Sequence, residues 1–190
     1  LSGRRLFITG GSRGLGREMA LALADAGADV ALVARQPESL EKTADDLRAL
    51  GREVFAIEGD VSVPEECESI CQRVLADFGP IDILVNNAGV FVWKKSLDLS
   101  REDYEKTIDV NLSAAFHLSQ AVARAMVKQK SAGSIINISS IHGKVGDPNV
   151  VAHCASTAGL IGLTRAMAEA LRPEEIRVNA ICPGAFPKDE

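Results

Sequence analysis

The stretch TGGSRGLG at residues 9–16 decides the fold of this chain, because it places a glycine-rich turn between a short apolar run and a helical pattern. The run Arg5–Thr9 is typical of a β-strand, and the pattern Leu15–Ala26 is typical of a helix. Glycine lacks a Cβ, so such a turn adopts positive φ angles and lets a ligand approach the backbone. The following helix offers free N–H groups and a partial positive charge. This order of elements predicts a binding site for the diphosphate of a dinucleotide.

The same alternation of short apolar runs and longer helical patterns continues along the chain. It predicts six strands: Arg5–Thr9, Asp29–Ala34, Glu53–Gly59, Asp82–Val85, Ser134–Ser139 and Ile176–Ile181. It predicts five helices: Leu15–Ala26, Pro37–Leu50, Pro64–Phe78, Arg101–Lys130 and Ala155–Leu171. Strands that alternate with helices form parallel sheets with right-handed crossovers. We therefore expect one α/β domain over residues 1–190, a Rossmann-type doubly wound parallel sheet of order 3-2-1-4-5-6 with helices on both faces.

Composition narrows the classes of function. The chain has 190 residues, of which 46% are hydrophobic and 25% charged, as in ordinary globular proteins. Its net charge of -5 argues against a nucleic-acid surface, and its N-terminal apolar run is too short for a signal peptide or a membrane span. Cys67 and Cys71 lie one helical turn apart, but a zinc site would need a second ligand pair. We expect a cytoplasmic protein with reduced thiols, no metal, and no nucleic-acid or membrane partner.

Further motifs follow the glycine-rich turn in a fixed order. Asp60-Val61 comes after the third predicted strand and Asn86-Asn87-Ala88-Gly89 after the fourth; Asn111, Ser140 and Pro183-Gly184 come later. With these motifs the chain resembles the short-chain dehydrogenase/reductase family over nearly its whole length. The resemblance implies a nicotinamide dinucleotide cofactor. The residues that it implies for cofactor binding are Gly10, Ser12, Arg13, Gly14, Leu15, Gly16, Asp60, Val61, Asn86, Asn87, Ala88, Gly89, Pro183 and Gly184.

Charge at the end of the second strand indicates which dinucleotide binds. An enzyme that uses NAD usually has an acidic residue there, which bonds the ribose hydroxyls and would repel a 2′-phosphate. This chain instead has Ala34 followed by Arg35, and Arg13 lies in the glycine-rich turn. Two guanidinium groups could pair with the 2′-phosphate in charge-assisted bonds. The sequence therefore predicts NADP(H), and the alternative is that both arginines are solvated surface charges.

The catalytic positions depart from the family pattern. The resemblance implies a Ser that polarises the substrate carbonyl, a Tyr thirteen residues later that passes the proton, a Lys four residues beyond it, and an Asn that anchors a water relay. Asn111 and Ser140 match this pattern, but His153 occupies the Tyr position and Thr157 the Lys position. The one tyrosine, Tyr104, precedes Asn111 and cannot substitute. We therefore expect impaired proton transfer.

Three interpretations of this departure stay open. His153 could itself be the acid, because an unperturbed imidazole titrates near pH ~6.5. The chain could be an inactive NADP(H)-binding sensor, scaffold or partner subunit. It could also be a weak or altered oxidoreductase of carbonyls and secondary alcohols, or a variant or fragment of an ordinary family enzyme. The chain stops at Pro187–Glu190, soon after Pro183-Gly184, so we expect it to lack the substrate lid and seventh strand of the family.

The remaining aromatic and helical features support weaker expectations. Trp93, with Phe91 and Val92, could line a substrate cleft or could serve packing alone. His117 and His142 are interpreted as structural. The family resemblance, with apolar faces on the predicted helices Arg101–Lys130 and Ala155–Leu171, implies a homodimer through these two helices, and the small-molecule substrate stays unidentified.

Overall fold

The computed structural model describes residues 1–185, whose strands form a six-stranded parallel sheet. The strands are β1 Arg5–Thr9, β2 Asp29–Ala34, β3 Val54–Glu58, β4 Ile83–Asn86, β5 Gly133–Ile138 and β6 Ile176–Ile181. Their order is β3-β2-β1-β4-β5-β6, which confirms the predicted topology. Leu6 of β1 lies between Val30 of β2 and Ile83 of β4. The strand order reverses between β1 and β4, and ligands of such sheets bind beyond the carboxyl ends of the strands at this point.

Two of the helical segments differ from the prediction in form. The helices are α1 Gly14–Asp25, α2 Pro37–Ala49, α3 Pro64–Arg73, α4 Arg101–Ile108, α5 Ala114–Gln129 and α6 Val151–Leu171. The single helix predicted over Arg101–Lys130 is α4 and α5 joined by a π-helical turn at Asp109–Ser113, and a second π-helical turn, Val74–Phe78, extends α3. A π turn continues the helical backbone, so the sequence predicts one uninterrupted helix over both segments. The last helix begins four residues before the predicted start, because Ala152 is already buried there.

Apolar side chains cover both faces of the sheet. Along β1, Phe7 points to one face, Leu6 and Ile8 point to the other, and all three are fully buried. The Phe7 face packs against α3 and α5, with Cys71, Leu118 and Val122 in the same cluster. The opposite face packs against α1 and α2, whose buried side chains are Ala20, Ala24, Leu40 and Leu47. Continuous apolar strands of this kind belong to parallel sheets that helices cover on both sides.

Within residues 1–185, none of the helices has both the length and the apolar content needed to cross a membrane.

Candidate active site

The glycine-rich turn forms a cradle of exposed backbone between β1 and α1. Gly10 and Gly14 have φ angles of +64° and +52°, which residues with a side chain rarely adopt. A Cβ on Gly16 would collide with the carbonyl oxygen of Gly10 and the side-chain amide of Asn87. The first-turn N–H groups of α1, starting at Gly14, precede the i→i−4 bonds of the helix. The turn therefore fits a diphosphate, which needs close backbone approach and N–H donors.

One amide side chain holds this turn against the end of β4. Asn87 donates through Nδ2 to the carbonyl oxygens of Thr9, at 3.0 Å, and Gly10, at 3.1 Å. In return, the hydroxyl of Thr9 accepts bonds from the backbone N–H groups of Asn87 and Ala88, at 3.0 Å and 2.9 Å. Thr9 is 2% exposed and was not among the predicted site residues. The only sequence feature that pointed to a role for Thr9 in the site was its position at the end of the first strand, directly before Gly10.

A cleft of about 640 Å³ lies over the glycine-rich turn and the ends of β1, β2, β3 and β4. It brings together most of the predicted cofactor-binding residues: Gly10, Ser12, Arg13, Gly14, Leu15, Gly16, Arg35, Asp60, Val61, Asn87, Ala88 and Gly89. The prediction did not include six further lining residues: Val33, Ala34, Gln36, Gly59, Val90 and Val110. The cleft therefore extends from the end of the second strand to the loop after the fourth strand.

Three predicted cofactor residues lie outside the wall of this cleft. Asn86 is 4% exposed and donates to the Ser119 hydroxyl and the Asn137 side-chain oxygen inside the sheet, at 2.9 Å and 2.8 Å. The carbonyl of Pro183 accepts a bond from the N–H of Ile141 at 2.9 Å, which ties the end of β6 to the loop after β5. Gly184 follows Pro183 and is exposed. Asn86 and Pro183 therefore hold strand ends in place near the site, whereas Gly184 has no such contact among the described residues.

An ion pair marks the end of the cleft beside β2. A guanidinium nitrogen of Arg35 lies 3.6 Å from the Asp60 carboxylate, and the Arg35 side chain is 51% exposed. Burial alone would raise the pKa of Asp60, but hydrogen bonds from the N–H and hydroxyl of Ser62, with the charge of Arg35, hold that pKa below its ordinary value. Asp60 is therefore ionised at neutral pH. Arg13, at the start of α1, is exposed on the same cleft.

The π-helical turn at Asp109–Ser113 aims Asn111 at the loop after β4. Its Oδ1 accepts the N–H of Val90 at 2.8 Å, and its Nδ2 donates to the Val90 carbonyl at 3.0 Å. The same Nδ2 lies 3.2 Å from the Ser156 hydroxyl and 3.5 Å from Nδ1 of His153. Asn111 therefore fixes the loop and contacts the residue at the family's Tyr position.

A smaller cavity of about 170 Å³ adjoins the cleft, and Asn111, His153 and Thr157 all line it. The Thr157 hydroxyl donates to the His153 carbonyl at 2.6 Å, so this side chain bonds its own helix rather than the cavity. Ser140 stands at the start of the 3₁₀ turn Ile141–Gly143, where its hydroxyl accepts the N–H of His142 at 3.1 Å. Its neighbour Ser139 lines the cavity instead of Ser140.

The electrostatics around His153 favour a neutral imidazole. Burial lowers the pKa of His153, and the nearby His142 lowers it further, while a hydrogen bond to the Val90 backbone offsets part of the effect. The ring centroids of the two histidines are 5.7 Å apart. The sequence analysis interpreted His142 as structural, although its position two residues after Ser140 indicated that it could lie near the site. His153 becomes a proton donor only as the pH falls below its lowered pKa.

Comparisons with known proteins agree with this geometry. The model of the family described as short chain dehydrogenase matches residues 4–189. A 3-oxoacyl-(acyl-carrier-protein) reductase FabG of Staphylococcus aureus is 38% identical over 184 residues, which cover 96% of this chain and 74% of the relative.

Solved structures of similar proteins contain either nicotinamide dinucleotide. Carveol dehydrogenase from Mycobacterium avium, in complex with NAD, is 33% identical with a TM-score of 0.91, covering 96% of this chain and 71% of its own. A Beutenbergia cavernae protein with bound NADP at low occupancy is 33% identical with a TM-score of 0.92, covering 97% of this chain and 73% of its own. The two relatives differ in cofactor, so likeness to them leaves the choice between NAD and NADP to the residues of this chain.

Proposed function

Because the chain belongs to the short-chain dehydrogenase family, we propose that it is an oxidoreductase that uses NADP(H) and acts on a carbonyl or secondary alcohol. The observation that carries this proposal is the continuity of the cleft with the smaller cavity. Both are lined by residues 87–90, Val61 and Val110. A dinucleotide whose diphosphate rests on the glycine-rich turn therefore extends toward Asn111 and His153.

The choice of NADP(H) over NAD(H) rests on charge. Arg13 and Arg35 both line the cleft, and both side chains are exposed to a ligand bound there. Asp60 lies 3.6 Å from the Arg35 guanidinium and holds this cation at the cleft. A 2′-phosphate would bind the same guanidinium in competition with the Asp60 carboxylate. A dianion between two guanidinium groups gains charge-assisted hydrogen bonds that a ribose hydroxyl does not.

The roles proposed for the reacting end follow from the cavity. When bound, the nicotinamide supplies or accepts the hydride. The cavity brings Asn111, which orients the loop and His153, beside the His153 imidazole, which holds the transferable proton. The role of Ser140, which polarises the substrate oxygen, rests on the family pattern alone, because Ser139 rather than Ser140 lines the cavity. Thr157 cannot supply the cation that the family's Lys provides, and the lowered pKa of His153 leaves few protonated molecules at neutral pH. Proton transfer is therefore impaired and turnover is slow.

We also infer a homodimer formed through α4, α5 and α6. These helices carry large apolar side chains that are exposed in one copy of the chain: Tyr104, Phe116, Val127 and Val151. Exposed apolar faces on long helices are typical of subunit interfaces.

Arg35→Ala tests the cofactor assignment. We expect NADPH binding to weaken about 10- to 100-fold, because a charge-assisted pair with the 2′-phosphate is lost, and NADH binding to change less than about threefold. Isothermal titration of the purified protein with each dinucleotide measures both affinities. Arg73→Ala is the matched control, since Arg73 is an exposed arginine on α3 away from the cleft. Equal weakening for NADPH and NADH would contradict the assignment, and failure of the wild type to bind either dinucleotide would contradict the proposed function.

A further inference from the structure

Four rings gather beside the small cavity, and two of them, Phe91 and His153, line it. The Phe91 centroid lies 4.9 Å from that of His153, 6.1 Å from that of Trp93 and 6.4 Å from that of His142. The two histidine rings are 5.7 Å apart. Phe91, Trp93, His142 and His153 therefore form one connected cluster, which we call the aromatic wall.

Much of the aromatic wall is open to solvent. Phe91 is 52% exposed and Trp93 is 63% exposed; in the loop that carries His142, Ile141 and Val145 are 40% and 53% exposed. Large apolar side chains that are exposed together in this way are typical of binding surfaces. The wall thus presents apolar area that a bound molecule would cover.

The two loops that carry the wall are held together without a ligand. The backbone N–H of Lys94 donates to the Asn149 carbonyl at 2.8 Å, and Lys94 forms an isolated parallel bridge with Val150. The ammonium group of Lys94 also pairs with Asp103 near the start of α4. The loop after β4 and the loop before α6 therefore stay in register, and the wall has a defined shape before binding.

The inner end of the wall is the reacting end of the proposed site. Phe91 and His153 line the small cavity together with Asn111. A molecule that lies along the wall therefore has one end beside His153 and the other end in solvent beside Trp93. This continuity favours a substrate over a protein partner, because a flat protein surface would not enter the cavity.

We propose that the aromatic wall binds an aromatic or conjugated planar group attached to the reacting carbon, so that the substrate class is aryl ketones and the corresponding secondary benzylic alcohols. This inference rests on the proposed oxidoreductase function. The ring pairs in the wall range from tilted to edge-on, with interplanar angles of 31° to 80°. The aromatic ring of a substrate can therefore pack against the face or the edge of a ring in the wall. Aromatic pairs prefer these arrangements, with centroid distances of about 4.5–7 Å. A saturated ring of the same size gains only the burial of its surface.

Trp93 is the one tryptophan of the chain, so tryptophan fluorescence reports directly on the wall. The protein with saturating NADPH is titrated with 1-phenylethanol and, as the saturated match, with 1-cyclohexylethanol. Each alcohol forms a dead-end complex with the reduced cofactor, which separates binding from turnover. We expect the phenyl compound to bind about 3- to 10-fold more tightly than the cyclohexyl compound.

Phe91→Leu removes the central ring of the wall while keeping an apolar side chain. We expect the preference for the phenyl compound to fall to within about twofold, because the ring contacts are lost and the buried area is nearly kept. Leu97→Ala is the control in the same loop; Leu97 is 97% exposed, and the preference should stay. Equal binding of the two alcohols to the wild type, no binding of either, or an unchanged preference in Phe91→Leu overturns the inference.

A separate titration with NADPH alone distinguishes this inference from the proposed function. A protein that binds NADPH but shows no phenyl preference loses the substrate assignment and keeps the cofactor assignment. A protein that binds no NADPH loses the proposed function itself.

Discussion

At the scale of single residues, the proposed mechanism depends on His153 and Thr157, which stand where the family pattern has Tyr and Lys. Burial and the neighbouring His142 lower the pKa of His153, so its imidazole is mainly neutral near pH 7 and supplies a proton only under more acidic conditions. Thr157 is 3% exposed and its hydroxyl is bonded to the His153 carbonyl at 2.6 Å. In the proposed mechanism, the two side chains therefore supply no cation, and the one proton donor, His153, is mainly unprotonated near pH 7.

The double variant His153→Tyr with Thr157→Lys restores both groups of the family pattern. We expect NADPH oxidation with aryl ketones to rise about 100-fold or more, since a positioned proton donor contributes about 10²- to 10⁴-fold. The cavity of about 170 Å³ beside Thr157 gives the longer Lys side chain room. The rate is followed by NADPH absorbance, with each single variant as a control. If NADPH still binds and no variant transfers hydride, the chain is better explained as a dinucleotide-binding protein than as an enzyme.

At the scale of elements, the contact between the glycine-rich turn and the end of β4 shapes the cofactor cleft. Gly16 lies in the first turn of α1, so close to Gly10 and Asn87 that no side chain fits between them. This tight packing brings the helix N-terminus against the strand ends. The form of the cleft therefore depends on glycine at position 16, because even the methyl group of alanine would collide with this contact.

Gly16→Ala tests this dependence. In an isolated helix, alanine would be more stabilising than glycine. Here we expect the collision of the new methyl group to lower the free energy of unfolding by about 1–3 kcal/mol. We also expect it to weaken NADPH binding at least about tenfold. Gly162→Ala on α6 is the matched control, because a Cβ there meets nothing within 4 Å. It should raise stability by about 0.4–1 kcal/mol and leave binding unchanged. Chemical denaturation and calorimetric titration measure the two effects, and similar behaviour of both variants would contradict the packing argument.

At the scale of the whole molecule, the inferred homodimer places the exposed apolar side chains of α4, α5 and α6 at a subunit contact. Phe116→Asp puts a charge in this contact, and we expect it to convert the dimer to a monomer at micromolar concentration, because an unpaired charge is costly to bury. Light scattering after size-exclusion chromatography measures the mass. Leu97→Asp is the control, since Leu97 is also exposed but lies in the loop before α4. A wild-type protein that elutes as a monomer would rule out this dimer.

The fold was largely predictable because its determinants are local. Each strand is a short apolar run that ends near glycine or a turn, and the alternation of strands with helices leaves few topologies. The details of the site were not predictable because they depend on contacts between residues far apart. Asn87 bonds Thr9 across 78 positions, and the π turn that aims Asn111 lies within a segment that the sequence predicts as one continuous helix. The closeness of His142 to His153 likewise comes from the meeting of a loop with α6.

The four hydrogen bonds among Asn87, Thr9, Gly10 and Ala88 have a thermodynamic consequence. Ordering a backbone residue costs about 1–2 kcal/mol in conformational entropy. Because these bonds order the glycine-rich turn when the protein folds, that cost does not arise when a ligand binds to the turn. If a dinucleotide binds as proposed, ordering of this turn therefore does not reduce its affinity, and the bound ligand stabilises the native state by mass action.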